Sequence, residues 1–205
     1  MKKEVSTKLL FVIMLSFLLI ACTKGDSAPG IVNPPPPPPP PPPPEYQLLY
    51  YGGNQANAPE LAAGSYEAAA RFTDTKIGNL AGKEIIEVQY YIFNKPDSCS
   101  IKIYGPLSDG APGSLLYSAD VTSAMKAGQW NVHKLTQTVK LKNEDIWLSI
   151  GFKQSMSQST VGCDPGPALK DGDWLYASAD NKWTPFIQRT FISINWTIRL
   201  AVSLK

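Results

Sequence analysis

The 205-residue chain has a single histidine, His133, and three cysteines, Cys22, Cys99 and Cys163. So little histidine leaves almost no general base for Ser-His-Asp or Cys-His chemistry. Neither a G-x-S-x-G elbow nor an H-E-x-x-H zinc signature is present. His133 lies in WNVHKLT, whose residues alternate as those of a strand do, so a satisfied or solvent-facing strand histidine is expected. Acidic and basic residues balance once the leader is set aside, and that excludes the basic excess of a nucleic-acid binder. A glycosidase's paired carboxylates are not excluded, because their separation is set by the fold. Glu60, Glu67, Glu84, Glu87 and Glu144, however, all read as turn or outward strand positions. The expectation is a non-enzyme, with a hydrolase kept as the third class.

The one long apolar run, Leu9 to Ala21, follows Lys2, Lys3 and Lys8 and is too short to span a bilayer. It reads as a secretory signal, residues 1–21. Leu19-Ile20-Ala21-Cys22 fits a bacterial lipoprotein signal, an aliphatic residue and a small residue before cysteine, which makes Cys22 the lipidated first residue of the mature chain. More than one acyl chain gives stable anchoring. Residues 22–45 form a linker that includes eleven consecutive prolines, Pro34 to Pro44. Such a run forms a stiff polyproline helix, a stand-off of roughly 34 Å at about 3.1 Å per residue. The expected location is the outer membrane, at the cell surface or otherwise facing the periplasm.

Residues 46–205 suffice for one domain with one core. Alternation dominates them. Ile86, Val88, Tyr90 and Ile92 share a face away from Glu87 and Gln89; Ile101 and Ile103 flank Lys102; Ile146, Leu148, Ile150 and Phe152 oppose Trp147, Ser149 and Gly151. The last segment sets Trp196, Ile198, Leu200, Val202 and Leu204 inward and Thr197, Arg199, Ala201 and Ser203 outward. Turn residues separate the runs at 95–97, 108–113, 142–145 and 180–182. Only residues 120–128 have helical character, enough for one or two turns. Short strands without strand-helix alternation predict an all-β antiparallel sandwich of the jelly-roll type.

The segment GCDPGPALKDGDWLY, Gly162 to Tyr176, concentrates the residues that carry chemistry. Asp164, Asp171 and Asp173 are hard oxygen donors, and the Asp171-Gly172-Asp173 spacing lets two carboxylates meet one calcium ion. The third ligand and the bidentate glutamate of an EF-hand are missing, so a long crossover stiffened by prolines is the competing reading. Cys99 and Cys163 are the thiols left after lipidation, and in an oxidising compartment they either pair as a disulfide or stay free. Trp174, Tyr176 and Trp183, in or beside the two late loops, supply flat apolar area for a sugar or peptide, or else belong to the core. Trp130 and Trp196 begin patterned strands and are expected inside. Of Tyr50 and Tyr51, one is expected to be exposed.

The order AARFTDTKIGNLAGKEIIEVQYYI, CSIKIYG, PGSLLYSADVT, WNVHKLTQTVKL, IWLSIGF, VGCDPGPALKDGDWLY and NWTIRLAV resembles the cleaved-adhesin modules of gingipain-type proteases. It is also similar to MAM-like jelly-roll domains on surface lipoproteins, and the likeness covers residues 46–205. The resemblance implies a jelly-roll binding or accessory module, in a family whose members often bind calcium in loops. The expectation is a lipid-anchored, adhesin-like module that contacts a glycan or an extracellular protein through loops at one end. The alternative is a non-catalytic envelope structural or assembly lipoprotein.

Overall fold

The computed structural model describes residues 45–55, 57–107 and 111–205. The expected signal segment, Cys22, the proline run and residues 108–110 of the turn expected at 108–113 lie outside the described residues. The strands are β1 (Tyr46–Leu49), β2 (Glu60–Leu61), β3 (Gly64–Phe72), β4 (Glu84–Ile92), β5 (Ser98–Pro106) and β6 (Pro112–Asp120), followed by β7 (Gln129–Lys140), β8 (Ile146–Gln154), β9 (Gln158–Ser159), β10 (Trp174–Ala177), β11 (Lys182–Pro185) and β12 (Ile198–Ser203). Two short helices, α1 (Asp74–Ile77) and α2 (Phe186–Thr190), sit in connections. No helix among the described residues is long and apolar enough to cross a membrane.

One sheet has the order β1-β12-β4-β7 and the other β11-β10-β3-β8-β5-β6, with antiparallel pairing throughout. Successive long strands change sheets, from β1 to β3 to β4 to β5 and again from β6 to β7 to β8 to β12; only the β5–β6 hairpin stays in one sheet. This is the double Greek-key winding of a jelly roll. The β10–β11 hairpin is an addition that widens the six-stranded sheet beside β3. The core between the sheets is filled by Phe72, Ile85, Val88, Ile92, Ile101, Ile103, Leu148, Ile150, Trp196, Ile198 and Leu200. At about 1.5–3 kcal/mol for each large apolar side chain removed from water, this layer supplies the main driving force.

Several expectations are corrected here. A bulge between Ile85 and Glu87 resets the phase of β4, so Ile85 rather than Ile86 enters the core with Val88, Tyr90 and Ile92. On β12, opposite the same bulge, Ala201 is buried along with Val202, although its parity points outward, and Leu204 lies beyond the strand at 43% exposure. Thr197 is buried as well. Of residues 120–128, Asp120 ends β6 and the rest form turns and loop, not helix. The helical turn forms instead at α1, where the Thr73 hydroxyl accepts the Lys76 amide at 3.3 Å. Trp196 is core, whereas Trp130 is half-buried on an outer face. Tyr50 is the exposed member of the Tyr50–Tyr51 pair.

Cys99 and Cys163 are both buried and free, so the disulfide alternative is not realised. Cys99 lies on β5 opposite Phe152, whereas Cys163 bridges Asn57 and Trp196. Burial pushes each thiol up to about 12, with Asp120 adding to Cys99 and Asp164 to Cys163. His133, the one imidazole, meets the Tyr117 hydroxyl at 2.7 Å and so joins the edge strands β6 and β7 of the two sheets.

Candidate functional site

Strand alternation turns one set of side chains on the six-stranded sheet away from the core. Register places Trp174 beside Ala69, Tyr176 beside Glu67 and opposite Trp183, Ser149 beside Lys102, and Trp147 beside Tyr104. Trp174, Tyr176 and Trp183 therefore sit on strands, on the open face of a sheet, and not on loops at one end of the sandwich as expected from sequence. All three are half-buried. Beneath them lies Trp147, 1% exposed. Its ring meets Trp174 edge-on at 5.1 Å and Trp183 at 5.8 Å, and Tyr176 packs on Trp183 at 5.5 Å. The buried ring fixes the positions of the exposed ones, which lowers the entropy lost when a ligand stacks on them.

Two polar groups flank the rings. Glu67, buried on β3, accepts hydrogen bonds from the Tyr104 hydroxyl at 3.0 Å and the Ser149 hydroxyl at 2.7 Å and is ion-paired to Lys102. Burial, and next the Glu67 charge, pushes the Tyr104 phenol up, so it stays a donor. On the other side Arg71 donates through Nε to Asp145 at 2.8 Å, approaches Asp171 at 3.7 Å and lies over the Trp147 ring at 5.9 Å. A depression of about 520 Å³ is lined by Arg71, Asp171, Asp173, Trp174, Trp183 and Ile187. A second, of about 300 Å³, is lined by Glu67, Ser100, Lys102, Asp120, Gly151 and Tyr176. Rigid rings beside fixed donors and acceptors suit a polyhydroxylated ligand, whose CH faces stack while its hydroxyls are counted by the polar groups.

The three aspartates have separate duties. Asp164 accepts the backbone amides of Gly53 at 2.9 Å, Gly166 at 2.9 Å and Asn195 at 2.8 Å. Burial opposes its ionisation, but these donors outweigh burial and hold its carboxyl below the ordinary range. Asp171 accepts the Trp174 indole N–H at 3.3 Å, and Asp173 accepts the Ile187 amide at 3.0 Å. Burial raises the Asp173 carboxyl. Among the described residues no group of three or more His, Cys, Asp or Glu is placed to hold a metal, so the expected calcium set does not converge. GCDPGPALKDGDWLY is a crossover in which Asp164 and Asp173 satisfy backbone donors and Asp171 the Trp174 indole.

Sequence reasoning missed Glu67, Arg71, Lys102, Tyr104 and Trp147. Period-two alternation in YEAAARF, SIKIY and IWLSIGF puts each on the outward face, but which strands lie side by side is not written in those segments.

No family model and no curated protein matches the chain, so the adhesin resemblance rests on segment order alone. A solved structure of a clostridial cysteine protease after propeptide cleavage matches 78% of this chain with a TM-score of 0.53 and 12% identity. The chain spans 41% of the length of that protein, and the likeness is one of fold.

Proposed function

We propose that the chain is a lipid-anchored surface module that binds a glycan on the open face of its six-stranded sheet, in the manner of an adhesin. The observation that supports this best is the ring cluster of Trp174, Tyr176 and Trp183, held from below by Trp147 and set between two depressions lined in part by charged side chains. The Cys22 anchor and proline linker read from sequence fit a domain displayed clear of a membrane. The module works by recognition: the thiols are buried with raised pKa values, and His133 is engaged by Tyr117.

The test is a glycan array, with extracellular-matrix proteins on the same slide, probed with the full chain in detergent. Saturable glycan binding that drops at least tenfold in a Trp174→Ala, Trp183→Ala variant supports the reading. Binding to matrix protein alone moves the ligand to a protein. Silence on both, with defined envelope partners co-purifying, favours the assembly lipoprotein.

A further inference from the structure

Two of the chain's three arginines are neutralised, Arg71 by Asp145 and Asp171 and Arg189 by Asp180. Arg199 is not: among the described residues it forms no ion pair. Its guanidinium lies 4.0 Å from the centre of the Trp130 ring and 5.0 Å from that of Tyr50. Trp130 is set edge-on to Tyr91 at 6.0 Å, and Tyr91 is fixed by its hydroxyl donating to the Gly128 carbonyl at 2.8 Å. Of the guanidinium's N–H donors, one reaches the Gly53 carbonyl at 3.4 Å, a long bond, and the others have no protein acceptor among the described residues.

These residues share the outward face of the four-stranded sheet, on the opposite side of the sandwich from the tryptophan cluster. Arg199 neighbours Gln89, which neighbours Val132, and Tyr91 neighbours Trp130. Tyr50 and Val132, 42% and 58% exposed, keep the rim open and apolar. The acidic side chain nearest along this face, Glu87, accepts the Gln89 amide at 2.9 Å and faces Lys134 in register.

A guanidinium clamped between rings keeps its charge, loses part of its hydration and holds its fork in one plane. That combination attracts a carboxylate more strongly than a freely hydrated cation does and matches it in a bidentate geometry. The open tyrosine and valine offer the apolar area that a sugar ring covers. We propose that Arg199, Trp130 and Tyr50 form a second binding site, for the carboxylate of an acidic sugar unit such as a uronate or sialate. The site is independent of the tryptophan face.

The test measures binding of the full chain in detergent to two matched pairs, trigalacturonate against its methyl ester and 3′-sialyllactose against lactose, with an acidic peptide as a third probe. The expected result is that at least one acid binds tenfold or more tightly than its neutral partner, that salt weakens it, and that Arg199→Gln abolishes the difference. Trp174→Ala with Trp183→Ala leaves it intact. If Arg199→Gln does not fold, Tyr50→Ala, at an exposed position, is expected to weaken the same acid severalfold. Equal binding of acid and neutral partner, no binding of either acid, indifference of binding to both variants, or binding of the acidic peptide alone overturns the proposal.

Discussion

Glu67 on β3 and Lys102 on β5 form an ion pair across the intervening β8, where Ser149 donates to the same carboxylate. The side chains are 12% and 29% exposed, so the pair is partly desolvated and its partners must come together. Glu67→Leu strands the ammonium and two hydroxyl donors, and is expected to cost about 1–3 kcal/mol in urea unfolding. Adding Lys102→Met recovers part of that loss, and a double-mutant cycle reads the coupling.

The aromatic face separates binding from folding. Tyr176→Ala removes a half-buried ring whose hydroxyl donates to Asn181 at 2.6 Å, and is expected to weaken glycan binding severalfold for less than about 1.5 kcal/mol of stability. Trp147→Ala removes the support and costs about 3–5 kcal/mol. Paired titration and thermal unfolding distinguish the two.

The Tyr117–His133 contact makes the joined sheet edges sensitive to acid. Burial lowers the His133 pKa from its ordinary value, so between the folded and unfolded values the unfolded chain binds more protons. Stability from this group is present above about pH 6.5 and is lost as pH falls toward the folded value. Unfolding midpoints from pH 7.5 to 5 are expected to drop in this window, and His133→Gln is expected to flatten that part of the profile.

Asp164 is expected to behave as a structural acceptor and not as a calcium ligand. Asp164→Ala leaves three backbone amides and the Asn195 side chain without their acceptor and costs about 2–4 kcal/mol. Its folded pKa is lowered, so its contribution is present above the unfolded value and disappears as pH falls through the folded one. Calcium and chelator are expected to give the same unfolding midpoint.

The thiols provide a check on burial. Cys99 and Cys163, with pKa values of about 12, are expected to be inert to a thiol-titrating reagent in the native chain and to react only at the rate of unfolding. Cys99→Ala is expected to cost about 1 kcal/mol, as deletion of a small buried apolar group does.

Much of the fold was legible in sequence, because a strand with one buried face must alternate and short runs with turns between them have few ways to bury that face. Ile101, Ile103, Leu148, Ile150, Ile198 and Leu200 all point where their parity puts them. The pattern slipped at Ile86, the extra residue of β4 that the pairing with β12 skips between Ile85 and Glu87, so that the inward set changes parity on the N-terminal side of the bulge, and at Ala201, which is buried although its parity points outward. A bulge leaves no mark in hydrophobicity alone.

Sequence by itself determined the all-β class and the inward residues of most strands, since these depend on local patterning. Only the tertiary structure decided that Glu67, Ser149 and Lys102 meet, that Trp147 underlies Trp174 and Trp183, and that Arg199 sits between Tyr50 and Trp130. Those contacts join strands far apart in the chain. Their proximity follows from the order in which the strands lie within each sheet, a long-range outcome of packing that no single segment encodes.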